Sequence, residues 1–190
     1  MGYLIFGIAV FAGAHLFSML LPDRRNALKA RMGEGPYKGI YALASLAGLA
    51  LMIWGFWGFT SGLIAVGVVY EPAPWGRHAA MLLVLLGFIS LSGFHGKGYL
   101  KQWLRNPFSI GIVLWSVGHL LANGMLHDVL LFGTFLVLAV LDIVLSMARG
   151  KRPGHEPQIR SDVIAVVSGV VLYAIFLFGV HPYIFNVPII

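Results

Sequence analysis

The stretch LWSVGHLLANG, residues 114–124, lies in one of the most apolar parts of the chain. Its leucine, valine and tryptophan side chains suit a helix in lipid, yet His119 stands at its centre and Asn123 follows one helical turn later. A polar side chain in hydrocarbon is costly unless it has a partner. The stretch therefore predicts a membrane helix and raises the question of what His119 binds.

The composition of the 190-residue chain points to the same solvent. Hydrophobic residues make up 59% of the chain and charged residues 11%, and the mean hydropathy is +0.87. A single domain of this length cannot bury so much apolar surface inside itself, so a bilayer is its natural environment. The chain has no cysteine, which excludes disulfides, thiolate metal sites and a thiol nucleophile.

Six apolar segments are long enough to cross a bilayer as helices, since about 20 residues suffice. We predict an all-α, integral membrane six-helix bundle that forms a single transmembrane domain over residues 1–190. No cleavable signal peptide is expected, because no basic region precedes the first span. The predicted spans are about 2–22, 38–59, 77–98, 108–126, 128–148 and 162–181.

The positive charges follow alternate loops. All Lys and Arg residues except Arg77 fall in segments 23–38, 95–108 and 149–161. The positive-inside rule then predicts that these loops are cytoplasmic and that both termini lie on the outer, periplasmic side of a bacterial inner (cytoplasmic) membrane. This distribution explains the net charge of +6 without a nucleic-acid partner.

Residues 60–76 fit none of the six spans. They are apolar and rich in glycine until Pro72 and Pro74 interrupt them. The segment is compatible with an extension of the second span, with a strand-like stretch at the interface, or with a flap over the outer face.

Two of the seven histidines lie too deep to reach water easily. At 1.5 Å per residue, His15 is about 10 Å and His119 about 18 Å from the inner ends of their predicted spans. Either one alone is compatible with a neutral histidine bonded to a backbone carbonyl. Two deep histidines on different helices favour bis-histidine ligation of haem over a zinc site. A proton relay is another use of buried histidines.

Depth alone does not choose the histidine pair, because His15 matches His95 better than it matches His119. Asp142 lies at a height similar to that of His15. Its carboxylate is a candidate acceptor for the second ring N–H of a ligating histidine, or a partner for a basic residue at the inner surface. Ser116 and Asn123 share a helical face with His119. His78, His127, His155 and His181 are expected to reach water or a local partner.

The chain resembles the bacterial NnrU family, relatives of the plant 15-cis-zeta-carotene isomerase. The stretches that carry the resemblance span most of the chain. They are GAHLFSMLLPDRR from Gly13, YKGIYALASLAGLALMIWGF from Tyr37, RNPFSIGIVLWSVGHLLANG from Arg105 and LLFGTFLVLAVLD from Leu130.

The resemblance implies that haem b iron is ligated by His15 and His119, with Ser116 and Asn123 beside the cofactor. The isomerase relatives use this iron to convert a cis carotene double bond, and NnrU proteins are associated with nitrite and nitric oxide reduction in denitrification. We therefore expect a redox-dependent cis–trans isomerase of a lipophilic, carotenoid-like polyene, with a redox partner. The polyene would exchange electron density with ferrous haem after one histidine is displaced. The alternative is a non-enzymatic membrane factor for denitrification or haem handling.

Two positions depart from the family pattern. An Arg-His-Pro motif reads Arg105-Asn106-Pro107 here, and a cysteine of the plant enzymes is replaced by Ser116. Both changes weaken the isomerase interpretation more than the haem-binding one. A membrane methyltransferase of the isoprenylcysteine carboxyl type is a weaker alternative, because its motif also needs the histidine that Asn106 replaces.

Overall fold

The computed structural model describes residues 1–60 and 67–185. Over these residues the chain is helical, and its β-pairing is limited to an isolated bridge between Val68 and Met125. The all-α prediction is therefore confirmed for the described part of the chain. The helices are α1 (Gly2–Leu20), α2 (Pro22–Met32), α3 (Glu34–Thr60), α4 (Gly76–Ser92), α5 (Tyr99–Leu104), α6 (Pro107–Ala122), α7 (Leu126–Ala148), α8 (Ile159–Ile175) and α9 (His181–Tyr183).

Six of these helices, α1, α3, α4, α6, α7 and α8, coincide with the predicted apolar segments. Among the described residues, four helical stretches are long and apolar enough to span a membrane: Gly2–Leu20, Glu34–Gly58, Leu126–Ala148 and Ile159–Tyr183. Helices α4 and α6 have 17 and 16 residues. At 1.5 Å per residue they fall short of a hydrocarbon core about 30 Å thick. The count of six crossings and the outward placement of both termini thus stay predictions.

The surface of the helices is the inverse of that of a soluble protein. Leu43, Trp54 and Val137 are each more than 60% exposed, whereas Ser116 and Asp128 are buried. Large apolar side chains cover the outside because lipid, unlike water, does not penalise their exposure. The chain is therefore a membrane protein with a lipid-facing exterior.

The first unit, Met1–Val66, is built on the pairing of α1 with α3. The helices run antiparallel, since Gly7 contacts Met52 whereas Phe11 contacts Gly48. A Cβ atom at Gly48 would lie 2.7 Å from the backbone nitrogen of Phe11. Only a residue without a side chain allows this approach, as in other close membrane helix pairs.

The second unit is Gly67–Ile190, and its described residues form four long apolar helices that pack in the order α8, α4, α6, α7. Glycines again set the contacts: a Cβ at Gly169 of α8 would lie 2.6 Å from the Cα of Ile89 in α4. The α4–α6 pair is also joined by a hydrogen bond of 2.7 Å from the Ser90 hydroxyl to the Pro107 carbonyl. Backbone contact of this kind replaces the hydrophobic effect, which does not drive association in lipid.

The ambiguous segment before α4 is described from residue 67 onward, and residues 61–66 lie outside the described residues. Val68 pairs with Met125, and the Tyr70 hydroxyl donates to the Asn123 carbonyl at 2.8 Å and to the Leu120 carbonyl. Loss of hydration, together with the nearby Asp128 carboxylate, raises the pKa of Tyr70. The described part is therefore strand-like, and a protonated phenol ties it to the carboxyl-terminal end of α6.

Helix α8 ends in one π-helical turn, Phe176–Val180, which leads into α9. The backbone N–H of His181 donates to the Phe176 carbonyl, five residues back. Pro182 follows, and its ring cannot be accommodated without disturbing the α-helical ladder. The widened turn is a local solution to this conflict, and such turns are frequent at functional sites.

Candidate functional site

His119 projects from α6 within the second unit. Its Nδ1 atom lies 2.8 Å from the Trp115 carbonyl. A carbonyl oxygen has no proton to give, so Nδ1 carries the hydrogen and donates it. In the neutral ring the lone pair then belongs to Nε2, the nitrogen that is available to a metal or a ligand.

Aromatic rings fix the plane of this imidazole. The Phe132 ring of α7 stacks on it, with ring centroids 4.4 Å apart and an angle of 23° between the planes. The Trp115 ring lies with its centroid 4.8 Å away. Rotation of the ring would break both the stacking and the Nδ1 hydrogen bond, so Nε2 is held in one direction.

The second imidazole near His119 is that of His181. The two ring centroids are 6.2 Å apart and the planes differ by 20°. The Nδ1 atom of His181 lies 2.9 Å from the Phe176 carbonyl, so in the neutral ring Nδ1 donates and Nε2 carries the lone pair. The π-helical turn supplies this carbonyl, because it places residue 176 under the ring of residue 181.

Both histidines line one cavity of about 140 Å³ among α4, α6 and the end of α8. Its walls are largely apolar and include Val84, Phe88 and Leu177. Its polar lining comes from the two imidazoles and from the side chains of Arg77, Asn123 and Tyr173. The cavity is thus an apolar pocket with a few convergent polar groups, the usual form of a ligand site.

Ser116 and Asn123 occupy different environments around His119. The Ser116 side chain is fully buried, and its hydroxyl has no hydrogen-bond partner among the described residues. The Asn123 amide donates to the backbone carbonyl of His119 at 2.9 Å and so caps the end of α6. Asn123 therefore steadies the helix end that carries the imidazole and also lines the cavity.

His15 has the same local arrangement in the first unit. Its Nδ1 donates to the Phe11 carbonyl at 2.8 Å, and its ring stacks on that of Phe11 with centroids 4.2 Å apart. Tyr41 of α3 flanks the ring at 5.4 Å. His15 belongs to the first unit and His119 to the second, so their pairing stays a prediction.

Asp142 is engaged by the start of α6. One of its oxygens, Oδ2, accepts hydrogen bonds of 2.6 Å from both the Asn106 amide and the Ser109 hydroxyl. Asn106 also accepts from the backbone nitrogen of Ser109 and so caps α6. Asn106 therefore joins the start of α6 to α7.

The position of His181 near the end of an apolar segment predicts that it reaches water, and the sequence pattern indicates no role for it beside His119. The sequence feature that pointed to an irregular turn here is the His181-Pro182 pair at the end of an apolar segment, because proline disturbs a helix. Hydropathy does not reveal that the disturbed turn brings the ring back toward α6. Within the described residues, no group of three or more His, Cys, Asp and Glu side chains is close enough to bind a metal ion.

The geometry defines a helical membrane protein with imidazoles held in an apolar interior. The sequence profile of the NnrU protein family matches residues 3–189. The chain belongs to this family. No curated protein and no solved structure gives a significant match.

Proposed function

We propose that the chain is a haem b-binding protein of the bacterial inner membrane, with His15 and His119 as the axial ligands of the iron. The observation that carries the proposal is the state of these rings, since each donates from Nδ1 to its own helix and leaves Nε2 available. Neutral imidazole is the form that ligates iron, and a hydrogen bond from the other ring nitrogen orients such ligands. The donor chemistry therefore fits the cofactor.

Each imidazole also has the support that a ligand requires. Phe132 stacks on His119, and Phe11 stacks on His15. Asn123 fixes the carbonyl at the base of His119. Because these contacts already restrict the rotation of each ring, less side-chain entropy is lost when the ring binds a metal, and this favours binding.

The proposed activity is a redox-dependent cis–trans isomerisation of a carotenoid-like polyene. Bound haem would supply an iron centre that changes oxidation state. The apolar exterior of the helices is compatible with lateral entry of such a substrate from lipid, and the apolar side chains near His119 would bind it without a charged group. A non-enzymatic role in denitrification or haem handling would use the same ligands and no substrate.

An optical spectrum of the purified protein tests the cofactor. The wild type should show a Soret band, and His15→Ala and His119→Ala should each shift or abolish it. His155→Ala is the matched control, because this histidine lies outside the helices between Lys151 and Gln158. If the wild type contains no haem after supplementation, the haem proposal is wrong. If the spectrum of a ligand variant is unchanged, the histidine replaced in that variant is not a ligand.

A second measurement separates enzyme from factor. The reduced holoprotein is incubated with cis-polyenes, and the isomers are separated by chromatography. Conversion that depends on His119 supports the isomerase. A protein that carries haem and leaves every isomer unchanged is the membrane factor.

A further inference from the structure

We propose that a cavity between the start of α6 and the end of α7 binds one anionic glycerophospholipid, whose phosphate pairs with Arg105 and Lys151 and whose headgroup hydroxyl donates to Asp142. The cavity lies within the second unit and shares no lining residue with the cavity of His119. The inference therefore goes beyond the proposed function and does not depend on haem.

The cavity has a volume of about 350 Å³, within the range of about 300–1,000 Å³ that is usual for ligand pockets. Part of its wall is apolar, and Phe94, Phe108 and Met147 in this part are 39%, 47% and 57% exposed. Exposed apolar side chains beside a cavity suit the acyl chains of a lipid, since a soluble phosphate compound would leave them uncovered. The wall therefore favours a lipid as the source of the phosphate.

Arg105 is placed at the cavity by a strained turn between α5 and α6. Its backbone has φ 60° and ψ −43°, and the N–H of Asn106 donates to the Leu104 carbonyl at 2.6 Å. This is the geometry of a γ-turn with positive φ, a rare and strained conformation. Strained backbone of this kind clusters at functional sites, and this turn brings Arg105 into the lining of the cavity.

Lys151 is placed by the turn that ends α7. Gly150 has φ 66°, and its N–H donates to the Met147 carbonyl at 2.9 Å. The N–H of Lys151 donates to the Ser146 carbonyl at 3.1 Å. These two bonds form a Schellman motif, which fixes the direction of the chain after a helix. Lys151, which lines the cavity, therefore has a defined backbone position.

The two cations have no acidic partner of their own. Within the described residues, neither Arg105 nor Lys151 forms an ion pair with a carboxylate. They belong to two different basic segments, and the positive-inside rule predicts that both segments face the cytoplasm. The cytoplasmic leaflet carries anionic lipids, and basic pockets between membrane helices bind the headgroups of such lipids. A lipid phosphate is therefore the expected counter-charge for this pair.

Asp142 determines what else the headgroup must supply. Its Oδ2 atom accepts from Asn106 and Ser109, whereas Oδ1 accepts no hydrogen bond in the part of the chain that the structure describes. A carboxylate oxygen accepts and does not donate, so the ligand needs a donor here. The two cations and this carboxylate leave one positive charge in the lining. A phosphodiester with a neutral, hydroxyl-bearing headgroup balances that charge, whereas a zwitterionic lipid would not.

The test uses the full-length protein in detergent, with short-chain lipids as probes. Thermal unfolding is measured with dioctanoyl phosphatidylglycerol, with dioctanoyl phosphatidylcholine, whose headgroup has no donor, and with glycerol phosphate, which has no acyl chains. Of the three, phosphatidylglycerol alone should raise the melting temperature, because a ligand that binds the folded state stabilises it. Native mass spectrometry should show one retained phosphatidylglycerol molecule per chain.

Variants of the two cations test the phosphate contacts. Arg105→Gln and Lys151→Gln should each weaken the binding of phosphatidylglycerol by about fivefold, the contribution of one basic residue near anionic lipid. Arg152→Gln is the matched control, because Arg152 is an exposed cation of the same loop that does not line the cavity. Circular dichroism verifies that every variant is folded.

Three results would overturn the proposal. Equal stabilisation by phosphatidylcholine would show that the site does not select the headgroup, and equal stabilisation by glycerol phosphate would assign the site to a soluble phosphate compound. Both comparisons use the wild type and need no variant. A loss of affinity in Arg152→Gln as large as that in the other two variants would show an effect of overall charge only. Since neither His15 nor His119 lines this cavity, a protein without haem would contradict the proposed function and leave the lipid site standing.

Discussion

The amide of Asn106 donates a 2.6 Å hydrogen bond to the carboxylate of Asp142, which joins the start of α6 to α7. The Ser109 hydroxyl reaches the same oxygen at 2.6 Å. Two donors from one helix therefore converge on a single carboxylate of its neighbour. Asn106 and Ser109 thus hold the start of α6 against α7.

Removing this carboxylate should destabilise the second unit. In Asp142→Ala, the Asn106 and Ser109 donors lose their acceptor in a partly buried site, and each unsatisfied group costs about 1–3 kcal/mol. We expect a melting temperature in detergent that is lower by several degrees. Asp142→Asn retains an acceptor oxygen and should lose less. Equal melting temperatures for Asp142→Ala and the wild type would show that these hydrogen bonds contribute nothing to the stability of the protein.

The α1–α3 contact should tolerate no side chain at Gly48. A Cβ there would lie 2.7 Å from the Phe11 nitrogen and 2.9 Å from the Phe11 Cβ. Backbone cannot rotate away, so Gly48→Ala should force the helices apart at a cost of about 1–3 kcal/mol. Gly13→Ala is the matched control, because nothing lies within 4 Å of its added carbon. Thermal unfolding of both variants gives the comparison, and a Gly48→Ala protein as stable as Gly13→Ala would refute the close contact.

Tyr70 should make the order of residues 67–75 dependent on pH. The pKa of Tyr70 is raised by loss of hydration and by Asp128. The stabilisation that its protonated hydroxyl provides is therefore complete at pH values below about 10, the pKa of tyrosine in the unfolded chain. This stabilisation is lost as the pH rises through the pKa that Tyr70 has in the folded protein. Limited proteolysis should therefore cut this segment faster at strongly alkaline pH in the wild type. Tyr70→Phe should be cut faster already at neutral pH, and equal cleavage rates would argue against the hydrogen bonds to α6.

The side of the membrane on which the loops lie can be tested by cysteine labelling, since the native chain has none. Glu71→Cys and Lys151→Cys are both at exposed positions. The positive-inside rule places Glu71 outside and Lys151 in the cytoplasm. A membrane-impermeant maleimide applied to spheroplasts should label only Glu71→Cys. Both should react after lysis, and labelling of Lys151→Cys in intact spheroplasts would reverse the proposed orientation.

Hydropathy was sufficient to predict the positions of α1, α3, α4, α6, α7 and α8, because a helix in lipid must be apolar along most of its length. It could not predict which faces meet. These helices are apolar on all sides, so no stripe marks the contact. The convergence of Asn106 and Ser109 on Asp142, and that of His181 on His119, depends on helix pairing and on one irregular turn. His119 and Ser116 were recognised because polar groups in an apolar segment stand out.

The π-helical turn at Phe176–Val180 makes the place of His181 depend on chain length rather than on residue identity alone. An α-helix rotates by about 100° per residue, so one extra residue in a turn redirects every side chain after it. Deleting Gly179 would leave the composition of the segment almost unchanged and swing the imidazole away from α6. A single-codon insertion or deletion is therefore enough to create or abolish the juxtaposition of His119 and His181, and two otherwise similar chains could differ in this property alone.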